Sequence, residues 1–126
     1  MEIAALIAAA LIGLLILFQI ALALGAPWGR AAWGGGHEGK LPPKLRLASA
    51  ISTLVLALAA WVVLAAGGLI DSSPVPESWL TPLVWVLTGY FGIGAVLNII
   101  SRSKVERIWG PVSLIIAVCC GLVAAA

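Results

Sequence analysis

Asn98, Ser101 and Arg102 stand at i, i+3 and i+4, a spacing that puts an amide, a hydroxyl and a guanidinium on one face of a helix. Such a face could hold an anion. The guanidinium fork matches phosphate or carboxylate oxygens, and the amide and hydroxyl add neutral donors. Arg107 follows Ser103 by four residues, and Glu106 could pair with Arg102 or Arg107 across the turn. A helix starting after Ser103 would add the positive end of its dipole. Gln19, Arg30, His37 and Glu38 could lie in the same layer. The candidate binding residues are therefore Gln19, Arg30, His37, Glu38, Asn98, Ser101, Arg102, Glu106 and Arg107.

Several of these have plainer explanations. Ser103-Lys104-Val105-Glu106 matches a capping box, with Ser103 as N-cap and Glu106 three residues on. Arg102, Lys104 and Arg107 suit membrane topology and the attraction of lipid phosphates. Asn98 is different, because an amide inside an apolar run must find a partner.

Covalent and metal chemistry find little support. His37 is the only histidine, and a metal or haem needs more ligands than the chain supplies, so no metal site and no cofactor are expected. The His37-Glu38 pair has no serine or cysteine nucleophile at a suitable spacing, so no catalytic residue is assigned. Cys119 and Cys120 are adjacent, project from different helix faces and read as packing residues. An enzyme acting on a lipid phosphate would have only Glu106 and His37 as general bases.

The elements that must carry these groups follow from composition. Of 126 residues, 63% are hydrophobic and 10% charged, whereas a soluble domain carries roughly a quarter charged residues. The charges fall in short clusters separated by long runs with no ionisable side chain. A bilayer core needs about 20 apolar residues per helix, and four such runs are present. The expected fold is all-α, a single four-helix transmembrane bundle with spans at about 3–25, 45–70, 82–101 and 104–125. The first span reads as retained rather than as a signal peptide, since no basic segment precedes it. Thr81 is the expected N-cap of the third helix. Pro111 is expected inside the fourth helix, kinking it and freeing the Arg107 carbonyl. Pro27 could open a short interfacial helix over Trp28–Trp33 that Gly34-Gly35-Gly36 would end.

Orientation follows from the bases. Arg30, Lys40, Lys44 and Arg46 lie between the first two spans, and Arg102, Lys104 and Arg107 between the last two. The other connection and both termini hold none. The positive-inside rule then places two connections in the cytoplasm and both termini outside. Trp28, Trp33, Trp79 and Trp109 fall where interfacial anchors belong.

The absences narrow the function. No acid or base lies in the middle of a span, although ion-coupled transporters and proton pathways usually need one. Small four-helix multidrug transporters carry a membrane-embedded glutamate in their first helix; here the only candidate is Glu2, at the very end. The one-sided bases exclude dual topology. Gly89, Gly92 and Gly94 form a small-residue set on the third helix that allows close helix approach, within the chain or in a homo-oligomer.

Three stretches, 26–35, 37–42 and 98–111, together resemble a group of small bacterial four-span membrane proteins of unassigned function. The resemblance implies the fold and a multi-pass place in the bacterial cytoplasmic (inner) membrane; it transfers no catalytic residue. The resulting expectation is a non-enzymatic component that binds a lipid headgroup, small anion or partner at its cytoplasmic face. The alternative is an oligomeric channel or uncoupled small-molecule transporter. Membrane lipids are the expected partners, and nucleic acid is not.

Overall fold

The computed structural model describes all 126 residues, and they form helices and turns without a strand. Helix α1 spans Glu2–Ala23, α2 Pro43–Ala66, α3 Leu80–Ile99 and α4 Trp109–Ala125. All four are long and apolar enough to cross a membrane once the 3₁₀ turns that lead into α3 and α4 are included.

Local chemistry moves several boundaries from their expected places. Helix α2 ends four residues before the expected 70, because Gly67 and Gly68 complete a Schellman motif. Gly68 takes φ 76°, and Leu69 N–H reaches back to the Leu64 carbonyl. The same six-to-one bond, from Ala26 N–H to the Ala21 carbonyl, closes α1. At the other end of α2, Pro43 occupies the first helical position, where its missing N–H costs nothing.

Thr81 does not cap α3. A 3₁₀ turn over Glu77–Trp79 already winds the chain, so the helix begins at Leu80 and Thr81 lies in its first turn. A second correction concerns Pro111. A 3₁₀ turn occupies Glu106–Ile108 and α4 proper starts at Trp109, so Pro111 sits in the first turn. Amides there have no intrahelical acceptor, and no kink is needed.

The helices form two antiparallel hairpins. Helix α3 packs closely on α4 and α1 on α2; α1 also lies against α4, whereas α2 and α3 meet over a shorter seam. Buried side chains fall into two groups. The larger runs from Ala5, Ile12 and Val63 to Val84, Ile116 and Cys120; the smaller is Leu22, Ala32 and Leu41 beneath the first connection. Only 29 residues are buried, and leucine, isoleucine and valine cover much of the exterior.

The α3 glycines do not mediate packing within the chain. A Cβ added to Gly89, Gly92 or Gly94 would meet open space. The close helix approaches use Gly67, where a Cβ would overlap Ala5, and Gly110, where it would overlap Ile99.

Candidate functional site

The first and third connections meet at one end of the bundle, and backbone groups of one are held by side chains of the other. The first connection folds into two 3₁₀ turns, Gly29–Ala31 and Trp33–Gly35, in place of one short helix. Trp33, Gly34 and Gly35 all take positive φ, which reverses the chain tightly. That reversal aims the Trp33 indole N–H at Ser49 Oγ on α2, 3.0 Å away. It also presents Gly34 N–H to Glu106 Oε2 at 2.9 Å. Ser103 Oγ donates to the Arg30 carbonyl, and a Cβ on Gly35 would overlap Ser103 Cβ.

The capping box is therefore half formed. Glu106 N–H reaches Ser103 Oγ at 3.4 Å, but the Glu106 carboxylate, buried, serves Gly34 instead of the Ser103 amide. Glu106 pairs with neither Arg102 nor Arg107.

The proposed Asn98, Ser101 and Arg102 face does not exist, because α3 ends at Ile99 and leaves the last two beyond the helix. Ser101 is buried; its Oγ accepts from Ser103 N–H and its carbonyl from Arg107 Nε at 2.7 Å. Arg102 is exposed. Arg30 and Glu38 form an ion pair at 3.0 Å with both side chains largely in solvent, an arrangement that contributes little. His37 is exposed in the same loop. No group of histidine, cysteine, aspartate and glutamate side chains is placed to hold a metal.

Asn98 and Gln19 instead meet at a cavity of about 330 Å³ just inside this end, between the two buried groups. Leu15, Phe18 and Gln19 of α1 line it together with Phe91 and Asn98 of α3 and Trp109 and Ser113 of α4. Ala31, Ala32 and Trp33 close it toward the loops. Ser52 and the buried Leu56 of α2 also line it, and it reaches the surface at a mouth formed by Tyr90, Ile93 and Leu97 of α3. The three α3 residues of the mouth are exposed on the bundle surface.

Two polar atoms on lining residues, Gln19 Oε1 and Trp109 Nε1, are sealed within the packing and make no hydrogen bond. A buried polar group left unpaired costs about 1–3 kcal/mol, so most are satisfied in folded proteins. Asn98 likewise finds no partner in the protein, against the expectation that it must. The Phe18 ring packs on Trp109 with centroids 4.6 Å apart. Phe18, Ala31 and Trp109 separate the cavity from a second hollow, about 510 Å³, lined also by Arg30, Glu38 and Ile108.

Trp109 and Ser113 escaped sequence reasoning. Trp109 reads as an interfacial anchor, and Ser113 as one small residue in an apolar helix. Nothing local marks their approach to Gln19, which depends on α1 lying beside α4.

Comparison with known proteins returns no match, either to a family or to a curated protein or solved structure.

Proposed function

We propose that the chain is a four-span protein of the bacterial cytoplasmic membrane, both termini outside, that holds a lipid-derived ligand at its cytoplasmic end without transforming it. The observation that carries this reading is the mostly apolar cavity whose lining also includes Gln19, Asn98, Ser52 and Ser113. Ligand pockets commonly combine a mostly apolar lining, a few unsatisfied polar groups and a volume of roughly 300–1,000 Å³. The seven bases at the same end support the orientation and favour anionic lipid around the rim. Catalysis is not favoured, since the Glu106 carboxylate is committed to Gly34 and no histidine or carboxylate lines the cavity.

Native mass spectrometry of the protein released from membranes tests this reading. Wild type should carry a lipid adduct that Gly94→Leu, which adds a side chain at a lining position with open space before it, removes while the helical circular dichroism stays unchanged. An adduct that survives in Gly94→Leu refutes the cavity as the site.

A homo-oligomer through α3 is the second reading, favoured by Gly89 and Gly92 facing open space on the outer surface. In such an assembly a channel or uncoupled transporter would run between copies. Within one bundle the larger buried group closes the path from the cavity to the far end.

A further inference from the structure

Two like charges, Lys40 and Arg46, are gathered at the end of α1. Gly25, which takes φ 102°, follows the helix and leaves a notch there. A Cβ on Gly25 would crowd Lys40 Cε, and the point where it would stand lies 3.4 Å from both Lys40 Nζ and Arg46 Nη2. The two cations are therefore within twice that distance of one another. The half-buried Arg46 is fixed in place by its Nε, which donates to the Ala23 carbonyl at 3.0 Å. Its Nη groups and Lys40 Nζ make no hydrogen bond or ion pair within the chain.

Cations this close repel unless negative charge stands beside them. The chain supplies little of it. Glu38 is the one acid of the first connection and is paired with Arg30, while the Glu106 carboxylate is bound to Gly34 N–H. The carbonyl end of α1 contributes about half a unit of negative charge, a fraction of the two positive ones. The first turn of α2 adds Lys44 and no acid. More than one positive charge is left uncompensated at the notch.

A phosphate group answers that imbalance. It spreads its charge over several oxygens, so one can accept from the free edge of the Arg46 guanidinium while another accepts from Lys40 Nζ. Apolar surface adjoins the pair along the chain, since Leu24 precedes Gly25, Leu47 follows Arg46, and both leucines are exposed. At the edge of a bilayer that combination suits a phosphate with acyl chains attached.

We propose that Lys40 and Arg46, gathered over Gly25, form a site for the phosphate of an anionic phospholipid whose acyl chains lie against Leu24 and Leu47. The site is separate from the cavity, which neither base lines. It rests on the bilayer reading only for the source of the phosphate.

The test follows thermal unfolding of the full chain in dodecylmaltoside by circular dichroism, at matched ionic strength. The probes are dioleoylphosphatidylglycerol, dioleoylphosphatidylcholine and inorganic phosphate. At about ten times its Kd, phosphatidylglycerol should raise the wild-type midpoint by about 5 °C, and phosphatidylcholine by much less. Lys40 is exposed, so Lys40→Gln should fold normally. It should weaken binding about tenfold, the loss of one charge-assisted bond, and cut the shift to about a third. Lys104→Gln removes the same charge from the third connection, and Gly94→Leu leaves the pair intact; both should keep the full shift. A midpoint raised by inorganic phosphate and not by phosphatidylglycerol, with the rise lost in Lys40→Gln, keeps the phosphate site and overturns the lipid as its source. Equal shifts from the two lipids overturn selection by charge. No shift from either phosphate source, or one that Lys40→Gln leaves intact or Lys104→Gln loses equally, overturns the site. A shift lost in Gly94→Leu and kept in Lys40→Gln assigns the lipid to the cavity and overturns this site as well.

Discussion

The carboxylate of Glu106, in the turn that leads into α4, accepts a hydrogen bond at 2.9 Å from the backbone N–H of Gly34, 72 residues earlier. This bond joins the two basic connections and, with Trp33 on Ser49, holds the loop that closes the cavity at that end. A buried carboxylate is costly unless it is hydrogen-bonded, and the backbone amide is the partner that justifies its burial.

Glu106→Leu should therefore lower stability by about 1–3 kcal/mol, because it strands the Gly34 amide, whereas Glu106→Gln retains an acceptor and should lose less. Thermal unfolding followed by circular dichroism in one fixed detergent ranks the variants. Equal midpoints for the two would show that the bond is not maintained.

Gly34 and Gly35 both take positive φ, but only at Gly35 does a Cβ also meet another part of the chain, Ser103. Gly34→Ala should cost about 1 kcal/mol from backbone strain alone. Gly35→Ala should cost more, because the first connection must lift off the third. The same unfolding assay separates them.

Glu38→Gln removes the Arg30 ion pair, yet both side chains lie in solvent. The change in stability should stay within about 0.5 kcal/mol, and raising the salt concentration should leave wild type and variant equally stable.

Orientation is open to labelling of single cysteines with a membrane-impermeant maleimide. Ser72→Cys should react in intact cells and Gly36→Cys only after the membrane is opened, as the one-sided bases require. Cys119 and Cys120 are buried in α4 and should remain unlabelled in both conditions. Reaction of Gly36→Cys in intact cells would reverse the assignment.

Gly92→Leu places a side chain in open space, so the unfolding midpoint of the isolated bundle should barely change. If α3 forms an interface between copies, the same substitution should lower the mass of the detergent complex measured by light scattering. An unchanged monomeric mass in wild type and variant eliminates the oligomer.

The share of this legible in the sequence divides by range. Gln19 and Asn98 could be singled out, because each is a strong hydrogen-bonding group within an apolar run. Spacing puts Ser101 and Arg102 on one face with Asn98 only if α3 continues past Ile99. The helix stops there, and spacing arguments fail at the last turn. Gly68 was readable as a helix terminator, and the expected end at 70 overran it.

Four apolar helices and a single basic end were determined by the sequence itself, since hydropathy and charge are sums over neighbouring residues. The cavity was decided by tertiary structure alone. It exists because residues of all four helices and of the first connection line one space, Gln19 and Trp109 among them. Neither residue carries a local mark of the other, since a hydrogen-bonding group left without a partner is a property of the packed bundle. The layer of arginines that spacing assembles is dispersed in the fold: Arg102 is exposed, Arg30 pairs with Glu38, and Arg107 Nε donates to the Ser101 carbonyl. Among the polar side chains left without a partner around the cavity are those of Gln19, Asn98 and Trp109.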